Sequence, residues 1–124
     1  MIGADGLIGK ALAARLHHNG CSVTETTRRG DRLGAGRVRL DFARPVCDWR
    51  PPRDVDTVFL CAAATSLAYS RDQPAKSRLI NVTHTVELAR ILAANGAFVV
   101  FLSTSRVFSG PKPQRPDDPP TPAD

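Results

Sequence analysis

Gly3-Ala4-Asp5-Gly6-Leu7-Ile8-Gly9 opens the chain and runs directly into a helical pattern over Leu7 to His18. Ile8, Leu12 and Leu16 recur every four residues, with Ala11 beside them, which predicts one inward helix face. Asn19-Gly20 supplies the stop, because glycine accepts the left-handed conformation that closes a helix. The glycine spacing has a chemical reading. Gly3 permits a tight turn out of a strand. Gly6 has no side chain, so a pyrophosphate can approach the backbone, and Gly9 lets the helix pack closely on a sheet. The start of the helix then offers unpaired N–H groups and a positive dipole end to phosphates. A flexible loop ahead of a helix would also be glycine-rich, so the reading depends on the elements downstream of it.

Beyond Gly20 the chain alternates strand and helix, which argues for a parallel sheet covered by helices. Ser22 to Thr27 is rich in β-branched residues and reads as a strand; Gly30 to Gly36 reads as a loop. Val38 to Asp41 is a second strand. Pro45, Pro51 and Pro52 stunt the crossover after it, leaving room for one turn near Trp49. The apolar run Thr57 to Ala63 predicts a strand buried on both faces. A loop carrying Ser66, Ser70 and Asp72 leads to Pro74, a good first helical residue. The next helix is expected to reach Asn95, with Leu79, Val82, Val86, Ala89 and Leu92 or Ala93 inward. Ala97 to Leu102 predicts a last strand, buried on both sides. Only Met1 and Ile2 precede Gly3, whereas the motif needs a strand of about five residues there. That strand belongs mid-sheet, between Ser22–Thr27 and Thr57–Ala63. The expectation is therefore an upstream start or a fragment.

Charge and cysteine usage narrow the classes. The net charge is +5, but the arginines are scattered and stacking aromatics few, so the basic balance does not point to nucleic acid. No apolar run approaches the roughly 20 residues of a membrane helix, and the first residues do not read as a signal peptide. Cys21, Cys47 and Cys61 lack a Cys-x-x-Cys pair, which suggests reduced thiols in the cytoplasm. His17, His18 and His84 do not form a metal-ligand set, so no metal is expected.

The cofactor is read about 20 residues past the glycines. There stand Thr26-Thr27-Arg28-Arg29. Two guanidinium groups suit a 2′-phosphate, since Arg pairs with phosphate in bidentate fashion, and this favours NADP. A solvated basic loop would look the same, and Glu25 keeps NAD open.

The glycine run, Leu40-Asp41, Val58-Phe59-Leu60-Cys61-Ala62-Ala63-Ala64-Thr65, Ile80-Asn81-Val82-x-x-Thr85, Leu102-Ser103-Thr104-Ser105-Arg106-Val107-Phe108-Ser109-Gly110 and Asp117-Asp118-Pro119-Pro120-Thr121-Pro122 span nearly the whole chain in one order. Together they resemble the extended short-chain dehydrogenase/reductase (NAD-dependent epimerase/dehydratase) family, within it most closely the dTDP-4-dehydrorhamnose reductases and related sugar-nucleotide enzymes. The resemblance implies a Rossmann-like doubly wound parallel sheet, here incomplete. It implies a partial NAD(P)-binding domain over residues 1–110 and a proline-rich segment over 111–124 leading to a missing catalytic motif. Roles follow from it. Gly3, Asp5, Gly6, Leu7, Ile8 and Gly9 form the cofactor turn, joined by Arg28 and Arg29. Asp41 matches the adenine contact; Ala62, Ala63 and Ala64 match small residues that let cofactor pass over a strand end. Asn81 matches a helix asparagine that supports the active site, and Thr104 the catalytic Ser/Thr that hydrogen-bonds a substrate oxygen.

The family's Tyr-x-x-x-Lys pair is absent: Tyr69 is followed at the fourth position by Gln73. The reading is thus the NAD(P)-binding portion of an oxidoreductase or epimerase acting on a nucleotide-sugar, with a 4-keto-sugar reductase favoured and a homodimeric whole protein left open. The alternatives are a non-catalytic NAD(P)-binding or sensing module, or an inactive gene fragment.

Overall fold

The computed structural model describes residues 1–110 and 112–122; Pro111, Ala123 and Asp124, within the expected proline-rich segment, lie outside the described residues. The helices are α1 (Leu7–His18), α2 (Leu67–Asp72), α3 (Pro74–Arg78) and α4 (Thr85–Ala94), with a π-helical turn over Leu79–His84 joining the last two. The strands are β1 (Glu25–Thr27), β2 (Arg37–Arg39), β3 (Thr57–Leu60) and β4 (Phe98–Phe101). None of the helices is long and apolar enough to cross a membrane.

β1 pairs with β2 in parallel, Thr26 opposite Val38, and β3 pairs with β4 in parallel, Val58 opposite Val99. Met1 and Ile2 run between the two pairs. The Ile2 N–H donates to the Phe59 carbonyl and the Ile2 carbonyl accepts the Cys61 N–H, both at 2.9 Å. On the other side the Met1 ammonium donates to the Thr24 carbonyl at 2.6 Å, and the Met1 carbonyl accepts the Thr26 N–H at 2.9 Å. Each flank skips a residue between its two bonds, which is the parallel pattern. The order β2–β1–Met1/Ile2–β3–β4 matches 3-2-1-4-5 of the doubly wound Rossmann order 3-2-1-4-5-6, and it places the opening residues mid-sheet as expected.

Strand alternation sends even and odd residues of β3 to opposite faces. Val58 and Leu60 join Ile2, Leu88, Leu92 and Ala97 in a core under α4. Phe59 and Cys61 pack with Met1, Ala4 and Ala13 under α1. The sheet is therefore covered on both faces.

Several elements differ from expectation. All four strands are shorter than expected, and β2 spans Arg37–Arg39 rather than Val38–Asp41. The buried face of α1 centres on Gly9 and Ala13, with Leu12 and Leu16 half-buried; Ile8 and Ala11 face outward and Leu7 is 91% exposed. Small residues line this face because the helix start sits against the glycine turn. Ser70 and Asp72 belong to a helix, not a loop: Ser66 caps α2 by accepting the Tyr69 N–H at 3.2 Å. The π-helical turn inserts an extra residue and rotates the inner face, so that His84, Leu88 and Leu92 are buried while Leu79, Val82 and Val86 are exposed. β4 is an edge strand here, with Phe98 and Phe101 exposed rather than buried on both sides. Near Trp49 there is a turn, the Trp49 N–H donating to the Val46 carbonyl at 3.0 Å.

Two glycines are fixed by geometry. Gly3 has φ +85°, and a Cβ there would stand 2.7 Å from the Ala62 nitrogen. A Cβ on Gly9 would stand 2.2 Å from the Gly3 carbonyl oxygen. Gly9 thus packs on the turn itself, not on the sheet directly. Gly9→Ala should cost about 3 kcal/mol or more in urea unfolding, since backbone rather than a flexible side chain blocks the new methyl. Leu88→Ala, at a fully buried side chain, should cost about 2–5 kcal/mol in the same measurement.

Candidate dinucleotide site

At the carboxyl ends of the strands lies a cleft of about 300 Å³. The glycine turn forms one wall through Gly3, Asp5 and Gly6. The ends of β1 and β2 add Thr26, Thr27, Arg28 and Leu40 to Ala43, and the segment after β3 adds Cys61 to Ala64, with Ile80 behind it. This is where ligands bind in open α/β sheets.

The mouth of α1 carries the electrostatics. Gly6 is the N-cap and offers no side-chain cap, and the first turn holds no acidic residue. Lys10 is the first helical N–H bonded within the helix, to the Gly6 carbonyl at 2.9 Å. The N–H groups of Leu7, Ile8 and Gly9 therefore have no helical acceptor, and their dipoles favour an anion. Gly6 differs from its two neighbours in the motif. A Cβ there would meet only the Gly3 carbonyl oxygen, at 3.3 Å, and its φ of −80° suits any residue. That contact is tight but lighter than those at Gly3 and Gly9, which stand under 3.0 Å.

Asp5 anchors a polar cluster at the β1 end. The Thr27 hydroxyl donates to its Oδ2 at 2.6 Å and the Arg32 guanidinium to its Oδ1 at 2.7 Å, with Arg37 at 3.6 Å. The Thr27 hydroxyl, and then Arg32, hold the Asp5 carboxyl below its ordinary pKa. Thr27 also accepts the Arg29 N–H at 3.0 Å, and Thr26 accepts the Gly3 N–H at 3.2 Å. These bonds tie the glycine turn to β1 across 22 or 23 residues of sequence.

The arginine pair divides. Arg28 lines the cleft. Arg29 does not: its guanidinium grips Asp31 at 2.9 and 3.3 Å, and that pairing raises the pKa of Arg29 and lowers that of Asp31. Glu25 is outside the cleft wall too, paired with Arg37 and lying 3.5 Å from His17. The acid beside the cleft at this end is Asp5, from the glycine turn.

Asp41 is in the wall, its Oδ1 accepting the Ala43 N–H at 3.0 Å. Ala62, Ala63 and Ala64 form the small-residue floor. Asn81 sits behind them instead of in the wall. Its Oδ1 accepts the Ala64 N–H at 2.7 Å and its Nδ2 donates to the Ala64 carbonyl at 3.0 Å. It holds the floor in place through one backbone unit. Thr104 is not brought to the cleft wall: it is exposed beyond β4, and its hydroxyl accepts the Arg106 N–H at 3.3 Å.

Residues beyond the motif complete the site. Buried His84 brings its Nδ1 to 2.7 Å from the Phe42 carbonyl, tying the π-helical turn to the segment after β2. The Thr85 hydroxyl donates back to the Ile80 carbonyl at 2.9 Å within that turn. The hydroxyl-rich end of β1 was visible in sequence as a cofactor-reading region; its bond to Asp5 was not, because the two are far apart along the chain.

The family profile described as "RmlD substrate binding domain" matches residues 1–124. A dTDP-4-dehydrorhamnose reductase from Streptomyces griseus is 32% identical over 119 residues, covering 94% of this chain and 37% of that protein. Methionine adenosyltransferase 2 subunit beta from Xenopus laevis is 30% identical over 124 residues, covering 94% of this chain and 35% of that protein. The chain thus spans little more than a third of the length of these relatives. The structure of "MoeE5 in complex with UDP-glucose and NAD" superposes with a TM-score of 0.78 at 30% identity, covering 98% of this chain and 41% of that one. A short-chain dehydrogenase/reductase superfamily protein from Agrobacterium tumefaciens with bound NAD gives 0.76 at 25% identity, covering 99% and 38%. With a profile match along all 124 residues and an incomplete Rossmann-like sheet around an open glycine turn, the chain belongs to the RmlD substrate binding domain family.

Proposed function

We propose that this chain is the NAD(P)-binding portion of an oxidoreductase or epimerase acting on a nucleotide-sugar, with a 4-keto-sugar reductase favoured. One observation carries the reading: α1 opens without a side-chain cap directly after Gly6, which lines the cleft, leaving the amides of Leu7, Ile8 and Gly9 without helical acceptors. Relatives named dTDP-4-dehydrorhamnose reductase, and a neighbour bound to UDP-glucose and NAD, support the substrate class.

The residues present fit the cofactor. The amides of Leu7 to Gly9 take the diphosphate, Gly3 and Gly6 let it approach, and Ala62 to Ala64 leave room above β3. Asp41 takes the adenine amine. Asn81 positions the floor. NADP is favoured over NAD, and the reason narrows from two arginines to one. Arg28 is in the cleft wall, while the charge of Arg29 is satisfied by Asp31. A nicotinamide cofactor held in this cleft would supply hydride chemistry to a substrate carbon. In a whole reductase Thr104 hydrogen-bonds the substrate oxygen, in a site completed beyond the cofactor cleft. Reduced Cys21, Cys47 and Cys61 suit the cytoplasm.

A second reading has its own support. One relative is named as a subunit of a methionine adenosyltransferase, so this family also serves as a subunit of a different enzyme. Tyr69 and Gln73 supply no Tyr-x-x-x-Lys. On that reading the cleft binds NAD(P) without turnover.

Titration of the chain with NADPH and NADH, followed by nicotinamide fluorescence, tests the site. Gly6→Val should lower affinity for both at least about tenfold while costing about 1 kcal/mol or less of stability, the loss expected for a poor N-cap. Unchanged binding would overturn the reading. Arg28→Ala should weaken NADPH about tenfold or more and NADH far less, as loss of a charge-assisted bond requires. Arg29→Ala should change neither; equal losses for both cofactors on Arg28→Ala would remove the NADP preference.

A further inference from the structure

The π-helical turn over Leu79–His84 serves the dinucleotide cleft from three positions. Ile80 stands in the cleft itself. Asn81 bonds both backbone groups of Ala64, on the β3 side. His84 reaches the β2 side, its Nδ1 2.7 Å from the Phe42 carbonyl. In an α-helix residues three apart share a face. Here Asn81 and His84 reach two different walls, because the wider π-helical turn, pinned by the Thr85 hydroxyl on the Ile80 carbonyl, swings them apart. His84 is buried, where a polar ring is costly unless it is bonded. A carbonyl can only accept, so Nδ1 carries the proton and donates it to Phe42.

What His84 holds is otherwise tied only to itself. The last bond from this part of the chain to the sheet is that of the Leu40 N–H to the Thr27 carbonyl. Beyond it the Arg44 N–H donates to the Asp41 carbonyl, and the Ala43 N–H to Asp41 Oδ1, both at 3.0 Å. Among the described residues, His84 is the one hydrogen-bonding group that another element brings to this turn. The turn matters because Asp41, Phe42 and Ala43 form the cleft wall that faces Ala62 to Ala64. Asp41 Oδ2 has no donor from the protein among the described residues, so it is left for a ligand.

We propose that His84 is a positioning residue for the adenine base: through the Phe42 carbonyl it fixes Asp41 across from Ala62 to Ala64, so that a flat base enters between them with its amine on Asp41 Oδ2. The proposal rests on the dinucleotide reading of the cleft and adds the residue that makes its adenine end selective. An apolar side chain at position 84 would fill the same buried space. It would leave the Asp41 turn attached to the sheet only through Leu40, free to carry the carboxylate away from the base. The loss would then fall on recognition of the amine, since the diphosphate meets the glycine turn on the far side of Asp41.

The test titrates the chain, His84→Asn and His84→Leu with NADH and with deamino-NADH, in which an oxygen replaces the adenine amine. The unaltered chain should bind NADH about tenfold more tightly than deamino-NADH, as one hydrogen bond to a carboxylate requires. His84→Leu should cut that ratio to about twofold or less, whereas His84→Asn, which keeps an N–H donor at the δ position, should retain most of it. Amide exchange at Ala43 and Arg44 should quicken at least about tenfold in His84→Leu and stay unchanged at Leu92. If His84→Leu does not fold, His84→Gln, whose donor lies one bond further out, takes its place with the same expected fall in ratio. An unchanged ratio in the folded variant would overturn the proposal and leave the dinucleotide site standing. So would a ratio near one in the unaltered chain, or equal losses for both ligands in the variant. Binding of neither ligand by the unaltered chain would remove the dinucleotide reading, and this proposal with it.

Discussion

The contact between the first turn of α1 and the Gly3 carbonyl is the constraint on which the rest of the molecule depends. With no Cβ on Gly9, the helix can start directly on the turn, where even a methyl would stand 2.2 Å from backbone oxygen. That contact fixes where the helix points, and so which way its first amides face. It also keeps Gly3 close enough to the segment after β3 for Ala62 to meet it. The cleft is the space left over when these three pieces are held this tightly at their bases and diverge above.

Three glycines thus perform two kinds of task. Gly3 and Gly9 answer to the protein's own packing. Gly6 is held less tightly: a Cβ there would stand 3.3 Å from the Gly3 carbonyl oxygen, and its φ would suit any side chain. A motif read from sequence alone does not separate these tasks, because glycine looks the same in each. The structure separates them by what a Cβ would touch at each position.

Much of the scaffold was legible because it is local. α1 spans Leu7–His18 as its periodicity and its Asn19-Gly20 stop dictate. The four parallel strands occur where β-branched and apolar runs lie, and Met1–Ile2 takes the central place that the motif demands. What failed was decided by long-range contacts. The inner face of the helix after Pro74 was read at a constant 3.6-residue period, but one extra residue in the Leu79–His84 turn re-phased it, bringing His84 and Leu88 inward. That turn is held by the Thr85 hydroxyl on Ile80 and by His84 on Phe42, 42 residues away, and periodicity carries no trace of such bonds. The site shows the same division. Gly3, Asp5, Gly6, Arg28, Asp41 and Ala62 to Ala64 line one cleft, whereas Leu7, Ile8, Gly9, Arg29, Asn81 and Thr104 are not in its wall.

The separation of Thr104 from the cofactor cleft bears on how this family is used. Apart from Ile80, the residues lining the cleft come from the first 64, and Asn81 braces them through Ala64. The groups that would act on a substrate are not gathered with them. On the proposed reading, cofactor binding and substrate chemistry are separable on this scaffold, since the cleft is built without residues after β4. A protein that kept the first and lost the second would still be ordered by its cofactor, because anything that binds only the folded state stabilises it. That separation is consistent with relatives of this chain being named both a reductase and a subunit of a different enzyme.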